Sequence, residues 1–278
     1  MPEGDNILRY ARVLGADLTG KTVDRLFLHD HGEVPELVGS TIERIEARGK
    51  QMLIFLDRGW VVRVHLGMHG AWRRKHVRER PPRDVTVALH SGDVAYTCIR
   101  SYRAEMIKAA RLQSHVRVGR LGPDLLAEPP DIDEAVRRAR KQGFAMREIG
   151  DLVMDQRVAA GIGNIYKSET LFETKTNPRA LMHQLDEAQV RTVFEKAAEL
   201  MRMSLLIRGR NAVRPRRRAE GAAARARFLV YMRKNKPCYD CGTRIERILQ
   251  GDMGRSTYFC PSCQPLPKGT ALGRVRSA

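Results

Sequence analysis

Aromatic residues and acidic charge are both scarce in this chain of 278 residues. Aromatics make up 6% of it, and 32 aspartates and glutamates stand against 50 lysines and arginines. The sequence has no apolar run near the roughly 20 residues that a membrane-spanning helix needs, and its polar, acidic start does not resemble a secretory signal. These absences argue against a membrane protein or a secreted one. We therefore expect an intracellular protein, cytoplasmic in a bacterium, with no membrane partner.

The excess of positive charge indicates what the chain binds. Its net charge is +18, and a protein this basic commonly faces a polyanion, most often nucleic acid. A generally cationic surface, or attachment to an anionic membrane surface, is the alternative. With 42% hydrophobic residues, the chain is apolar enough for real cores and long enough for two domains.

Cysteine is also rare, with five in the chain. Four of them form two Cys-x2-Cys pairs, Cys238 with Cys241 and Cys260 with Cys263, at a separation typical of a four-cysteine zinc site in a reducing compartment. Four thiolates complete a tetrahedron and leave no open position, so we expect one structural Zn²⁺. Cys98 is left over, and we expect it to be a buried apolar thiol.

Hydrophobic periodicity predicts an α+β protein. An N-terminal helix capped by Asp5 and ended by Gly15 comes first. Up to about residue 110, short apolar runs alternate with turn residues, which is typical of a β-sandwich. The clearest predicted strands cover residues 41–47, 52–56, 61–64, 85–89 and 94–98.

The second half of the chain is predicted to be helical. Helices are expected over residues 132–142, 151–160 and 164–172, and a capping box of Asp186 with Gln189 predicts a long helix through about Ile207. Two strands and a turn are expected between the cysteine pairs. The predicted domains are a β-sandwich (1–118), a linker (119–131), a helical domain (132–235), a zinc-finger hairpin (236–266) and a tail (267–278). The chain is very basic from Arg208 to Lys236, and its arginine-rich segment Arg208–Arg227 is expected to add phosphate affinity without regard to sequence.

The first residues offer a nucleophile. Because Pro2 is small, we expect the initiator Met1 to be removed, which leaves a secondary amine at the N-terminus. An α-amino group titrates near about 8, so part of it is neutral at working pH. Such an amine can attack a carbon and end as a Schiff base, with Glu3 in reach as acid or base. Proline follows methionine in many proteins, so this pattern alone is weak evidence.

Several further motifs occur in a fixed order along the chain. They are Pro2-Glu3-Gly4, Arg48-Gly49-Lys50, His65-Leu66-Gly67-Met68, Arg120-x-Gly122-Pro123-Asp124, Asp155-Gln156, Ala160-Gly161-Ile162-Gly163-Asn164-Ile165-Tyr166, Val230-Tyr231-x-Arg233 and Gly254-Arg255-x-Thr257-Tyr258-Phe259-Cys260-Pro261-x-Cys263-Gln264. Each is weak alone, but together with the cysteine spacing they closely resemble the formamidopyrimidine-DNA glycosylase / endonuclease VIII family of base-excision repair enzymes. The Pro-Glu-Gly start is more similar to the endonuclease VIII branch.

The resemblance implies a bifunctional DNA glycosylase/AP lyase that holds damaged DNA between the β-sandwich and a helix–two-turn–helix domain. Pro2 would attack the sugar C1′, Glu3 would protonate the ring oxygen, and Lys50 would hold a phosphate or donate a proton. Strand cleavage by β- and then δ-elimination would follow. Arg255 would bind the phosphates that flank the lesion and assist this elimination.

The resemblance also implies DNA contacts. Met68 would fill the gap left by the flipped nucleotide, and Asn164 and Arg120 would bind the DNA. In the 8-oxoguanine branch a wedge loop carries a second arginine and a phenylalanine. This chain has Ser101 and Tyr102 there, which makes oxidised pyrimidines and abasic sites the expected substrates, with 8-oxoguanine as the alternative.

Other interpretations stay open at this point. Met68 is otherwise a core methionine, and Lys50, Arg120 and Arg255 are otherwise solvated surface charges. The scaffold could belong to a DNA-binding zinc protein that has lost catalysis, or the zinc segment to an RNA-binding protein. We expect a monomer.

Overall fold

The computed structural model describes residues 2–77, 84–207 and 227–267, and the chain divides into two compact units between Arg120 and Leu121. Strands dominate the first unit and helices the second, so the predicted α+β class is confirmed. Most of the basic segment and nearly all of the predicted tail lie outside the described residues. None of the described helices combines the length and apolarity needed to cross a bilayer.

The first unit is a β-sandwich preceded by one helix. Two antiparallel sheets, in the orders β2-β1-β7-β8-β6 and β3-β4-β5-β9, enclose the larger of the unit's two described apolar clusters. The elements are α1 (Gly4–Leu18), β1 (Arg25–Leu28), β2 (Gly32–Glu33), β3 (Ile42–Arg48), β4 (Gln51–Leu56), β5 (Trp60–His65), β6 (Ala71–His76), β7 (Val85–Ser91), β8 (Val94–Ile99) and β9 (Arg103–Lys108), with 3₁₀ turns at Pro35–Leu37 and Ala109–Arg111.

Helix α1 corrects the prediction for its own ends. The helix passes through Gly15 and ends at Leu18, and Glu3 rather than Asp5 is its N-cap. Leu14 and Leu18 are fully buried in the sandwich core, and this burial outweighs the roughly 1 kcal/mol that a glycine costs inside a helix. The left-handed residue that follows the helix is Gly20, at φ +79°.

The five predicted strands are confirmed to within two residues, and the structure adds four more. Strand β4 is buried along its whole length because apolar clusters cover both of its faces, with Met52 and Ile54 on one side and Leu53 and Phe55 on the other. The unpredicted strands β6 and β9 lie at sheet edges, where charged residues are tolerated and hide the alternating pattern.

The second unit packs helices against a hairpin. Its elements are α2 (Ile132–Ala139), α3 (Ile149–Leu152), α4 (Asn164–Glu173), α5 (Glu187–Leu206), β10 (Glu246–Gln250) and β11 (Arg255–Phe259), with 3₁₀ turns at Gln142–Phe144 and Met182–Gln184. The capping box of Asp186 and Gln189 at the start of α5 is confirmed. An apolar cluster that includes Phe172 of α4 and Ile245 joins the helices to the hairpin segment.

The predicted helix over residues 151–160 is wrong, because α3 ends at Leu152. The backbone beyond it bonds to the segment 122–123 instead: Gly122 donates to Gln156 O at 2.8 Å, and Ala160 donates to Pro123 O at 2.9 Å. Gln156 also turns its side chain onto the local backbone, donating to Ile162 O at 3.0 Å. These bonds replace the helical ladder and form the turn that precedes α4.

Candidate active site and metal centre

One end of the four-stranded sheet collects three of the candidate residues. Lys50 lies in the turn between β3 and β4, and the next residue, Gln51, pairs with His65 at the end of β5. Tyr102 precedes β9 and donates its N–H to His65 O at 2.9 Å, while Met68 lies in the loop after β5. The antiparallel register thus brings Lys50, Met68 and Tyr102 to the same end of this sheet.

Helix α1 directs the start of the chain toward the same end of the four-stranded sheet. Helix α1 packs on β3 and β4, with Gly20 donating to Ile42 O at 2.8 Å and the Cβ position of Gly15 4.0 Å from Ile45 Cβ. From Gly15 back to Gly4 the helix rises about 16 Å, and from Ile45 to Lys50 the strand advances about 16 Å. Helix and strand therefore run in opposite directions, and by these lengths we infer that the N-terminus of α1 lies level with the Lys50 turn.

Glu3 and Pro2 stand at that N-terminus. Glu3 is fully buried as the N-cap of α1, and Pro2 is partly buried. The positive end of the helix dipole favours a carboxylate at the N-cap position. A buried carboxyl group beside a partly accessible imino acid is an arrangement suited to proton transfer.

The wedge candidates are exposed. Met68 is 57% exposed and Tyr102 75%, so Met68 is not a core methionine. Gly67 has φ +65°, and a Cβ there would lie 2.7 Å from Tyr102 Cβ, so only glycine allows the two loops to approach this closely. Because the two exposed side chains lie on adjoining loops, they form a candidate binding surface.

His65 lies under these loops with an edge-to-face contact to the Tyr102 ring, at 5.7 Å between centroids. Burial, followed by the positive charges of Arg63, Lys50 and Arg117, lowers the pKa of His65 to about 4. The imidazole is therefore neutral at physiological pH. It can donate or accept a hydrogen bond without adding charge beside Lys50.

Changing His65 to glutamine should flatten the pH dependence of the stability of the first unit. Between pH 6.5 and 4 the unfolded chain protonates this histidine and the folded chain does not, so stability falls as the pH falls, by up to about 3 kcal/mol. Urea titrations at pH 7 and pH 4.5 measure the difference. Trp60 and Trp72 are the only tryptophans and both lie in the first unit, so their fluorescence reports that unit.

His31→Gln, at an exposed turn, is the matched control for that experiment. It should keep the pH dependence of the unchanged protein. Equal losses of stability between pH 7 and pH 4.5 in the His65→Gln variant and in the unchanged protein would contradict the prediction.

A buried charged network, which the sequence patterns did not reveal, supports the same end of the sheet. Arg63 is 4% exposed in β5, donates from Nε to Glu105 Oε1 at 2.6 Å, and also donates to the side chain of Gln51. Burial alone would raise the pKa of Glu105, but the hydrogen bond and the charge of Arg63 lower it. The network ties β4, β5 and β9 together next to Lys50. Its one signal was an arginine inside the apolar run of β5.

The second unit carries Asn164 and Arg255. Asn164 is the first residue of α4, and its buried Oδ1 has no hydrogen-bond partner in the described part of the chain. Arg255 begins β11, half-buried, with Nη2 3.8 Å from Met253 Sδ. Tyr258 of β11 donates its N–H to Ser168 Oγ of α4 at 3.2 Å, so strand and helix are in contact. Arg120 is exposed at the end of the first unit.

The four paired cysteines form one cluster. Their sulfur atoms all lie within 4.8 Å of one another, with Cys238 and Cys263 3.9 Å apart and Cys241 and Cys260 3.4 Å apart. Sulfurs around a tetrahedral zinc ion with bonds of about 2.3 Å would be about 3.8 Å apart, so the cluster fits such an ion.

The electrostatics of the cluster also fit a cation. A hydrogen bond from Thr243 lowers the pKa of Cys241 to about 6, whereas burial, followed by the neighbouring thiols, raises the pKa of Cys263. Crowded thiols resist ionising together, and a metal ion offsets that repulsion. Cys98 is apart from the cluster and fully buried, as predicted, and burial raises its pKa to about 12.

Comparison with known proteins identifies the family. Residues 1–104 match the formamidopyrimidine-DNA glycosylase N-terminal domain and residues 121–214 match the formamidopyrimidine-DNA glycosylase H2TH domain. The probable endonuclease 8 2 of Streptomyces coelicolor is 34% identical over 99% of this chain and 98% of its own length. Endonuclease 8 of Pectobacterium atrosepticum is 32% identical over 95% of this chain and 100% of its own length.

A solved structure agrees in fold. The formamidopyrimidine-DNA glycosylase of Lactococcus lactis, non-covalently bound to DNA that contains an AP site, superposes with a TM-score of 0.80 at 22% identity, covering 95% of this chain and 100% of that one. The resemblance inferred from the motifs is therefore confirmed. The chain belongs to the formamidopyrimidine-DNA glycosylase / endonuclease 8 family, whose members are DNA glycosylases and AP lyases of base-excision repair.

Proposed function

We propose that this protein removes oxidised bases, pyrimidines above all, from DNA through a Schiff base formed by the amine of Pro2, and then cleaves the strand. The observation that carries the proposal is the packing of α1 on β3 through Gly20 with Ile42 and Gly15 with Ile45, which directs the N-terminus of the helix toward the sheet end that holds Lys50. A nucleophile, a carboxyl group and a cation are the groups that this reaction needs.

The chemistry follows from the secondary amine. The nitrogen of Pro2 attacks C1′ while the damaged base leaves, and Glu3 gives a proton to the ring oxygen as the sugar opens. The resulting iminium withdraws electrons from C1′ and makes the C2′ proton acidic. Its removal expels the 3′ phosphate by β-elimination, and a further proton loss expels the 5′ phosphate by δ-elimination. The positive charge of Lys50 lowers the pKa of a neighbouring amine and favours its nucleophilic, neutral form.

DNA binding divides between the two units in this proposal. Met68 and Tyr102 fill the gap that the flipped nucleotide leaves in the duplex, since both side chains are exposed and apolar. Asn164 and the backbone N–H groups at the start of α4 bind a phosphate, as helix N-termini do. Arg255 and Arg120 bind further phosphates through their guanidinium groups.

The substrate preference rests on Ser101. Its hydroxyl donates to Thr86 Oγ1 at 2.8 Å, so this side chain is held against its own sheet and does not extend as an arginine would. The DNA strand opposite the lesion therefore contacts a smaller wedge, formed by Met68 and Tyr102 alone. Together with the relatives named endonuclease 8, this favours oxidised pyrimidines and abasic sites over 8-oxoguanine paired with cytosine.

We propose Zn²⁺ as the ion of the cysteine cluster, in a purely structural role.

The test is a panel of oligonucleotides treated with the purified protein. Borohydride should trap a covalent adduct on abasic DNA, and nicking should leave phosphate on both ends of the gap. Thymine glycol should be excised at least about tenfold faster than 8-oxoguanine opposite cytosine. DNA binding without nicking or trapping would instead indicate a scaffold that has lost catalysis, and a preference for RNA would indicate an RNA-binding protein.

A further inference from the structure

We infer that Gln250 is a positioning residue for Arg255, because its side-chain amide fastens the tip of the β10–β11 hairpin to the segment around α3. The inference rests on the proposed phosphate-binding role of Arg255. It concerns a buried amide at the far end of the hairpin from the cysteine cluster.

The amide of Gln250 is fully used. Its Nε2 donates to Glu148 Oε2 at 2.6 Å and to Pro178 O at 2.9 Å, and its Oε1 accepts from Thr257 Oγ1 at 2.6 Å. Gln250 is 4% exposed and Thr257 is fully buried. A buried amide whose donors and acceptor are all paired has one orientation, since any rotation leaves polar groups unpaired.

The strand register of the hairpin places Arg255 directly beside the fixed Gln250 side chain. Gln250 and Arg255 are directly opposite each other in the last pair of the ladder, so their side chains leave the same face of the hairpin. Thr257, two residues along β11, shares that face as well. The hydrogen bond from Thr257 to Gln250 therefore runs diagonally beside the stem of Arg255 and fixes both strands there.

The contact between the hairpin tip and α3 leaves no spare room. A Cβ on Gly150 would lie 2.4 Å from Gln250 Oε1, and a Cβ on Gly251 would lie 2.1 Å from Asp151 Oδ1. Asp151 is itself held by Arg147, which donates to it from Nε at 3.1 Å and to Asp155 from Nη1 at 2.9 Å. Gly150 on α3 and Gly251 on the hairpin allow the two segments to pack closely. The ion pairs of Arg147 with Asp151 and Asp155 hold α3 in place at this contact.

Two separate anchors therefore hold the hairpin. The cysteine cluster fixes its base, and Gln250 fixes the tip from which Arg255 projects. Loss of the Gln250 amide should leave the metal bound and the strands paired, but should release the tip. A guanidinium on a released tip must be ordered again each time it binds a phosphate, and a displacement of about 1 Å costs up to about 100-fold in rate.

The test compares the full-length Gln250→Ala variant with the unchanged protein on abasic duplex DNA. We expect kcat/KM for strand cleavage to fall about 10- to 100-fold, with one metal ion per chain retained. Gln189→Ala is the matched control, because it removes another hydrogen-bonded glutamine from the same unit, at the cap of α5. It should leave kcat/KM unchanged.

A double-mutant cycle with Arg255→Ala separates positioning from general structural damage. If Gln250 acts through Arg255, adding Gln250→Ala to Arg255→Ala should cause no further loss. An equal further loss in that background, or unchanged kcat/KM in Gln250→Ala alone, would overturn the inference. Full strand-cleavage activity of Arg255→Ala would also overturn the inference. Borohydride trapping by Arg255→Ala would show that the Pro2 chemistry is intact. Failure of the unchanged protein to be trapped would count against the proposed function itself.

Discussion

Two residues added before Pro2, such as Gly-Ser, should abolish borohydride trapping and slow strand cleavage at an abasic site by at least about 10³-fold. The extension turns the secondary amine into an amide, whose lone pair is delocalised and cannot attack C1′. No other group at this end of the sheet is proposed as the nucleophile. The measurement is a gel assay for the covalent adduct and for nicked product, with single-turnover rates.

The matched control carries the same two residues after Ala278 and should be trapped as well as the unchanged protein. Binding of the extended protein to abasic duplex should be weakened far less than its cleavage rate, because the proposed phosphate contacts do not involve the amine. Trapping that persists after the extension, with the added amine acetylated so that it cannot form an imine, would refute Pro2 as the nucleophile and would point to a lysine, with Lys50 the first candidate.

The elements that the sequence predicts well are those whose signal is local. The capping box of Asp186 and Gln189 begins α5 as expected, because the reciprocal bonds involve residues three apart. The central strands are also found, because buried strands have dense apolar runs. The cysteine pairs predict their own cluster, since ligand spacing reflects a fixed coordination geometry.

The features that the sequence did not predict depend on distant partners. The helix expected over residues 151–160 is replaced by turns, because segment 122–123 supplies the hydrogen bonds there. Helix α1 runs past Gly15 because the sandwich core buries Leu14 and Leu18. In both cases tertiary contacts override the local preference on which the prediction depended.

The candidate site also has residues that local patterns predict and an arrangement that they do not predict. Pattern and family resemblance name Pro2, Lys50, Met68 and Tyr102 one by one, and their roles stay predictions until the experiments above are done. The gathering of Lys50, Met68 and Tyr102 at one sheet end follows from antiparallel register, which no local pattern encodes. The supporting polar groups, Arg63 bonded to Gln51 and Gln250 paired with Arg255, are harder still to predict, because one arginine or glutamine in a strand does not reveal its distant partners.

Removing the metal should unfold the hairpin and reduce strand cleavage at least about 100-fold while the first unit stays folded. A two-stranded hairpin is marginal in water, and this one has a small apolar cluster to which Cys238 and Cys260 themselves belong. Binding of zinc to such a site supplies of order 10 kcal/mol, which the hairpin cannot replace. The described core clusters of the first unit include no hairpin residue, so its stability should not follow the metal.

The experiment uses Cys241→Ser and, separately, a zinc chelator on the unchanged protein. Metal content by mass spectrometry should fall below one ion per chain, and cleavage of abasic duplex should fall with it, while the urea midpoint of Trp60 and Trp72 fluorescence stays constant. Cys98→Ala is the matched control, because it removes a buried thiol that lies outside the cluster, and it should keep the metal. Full activity of a metal-free protein would contradict the structural role of the ion. Because Arg255 projects from this hairpin, a loss of cleavage with trapping preserved would show that the ion serves the phosphate-binding arginine rather than the amine.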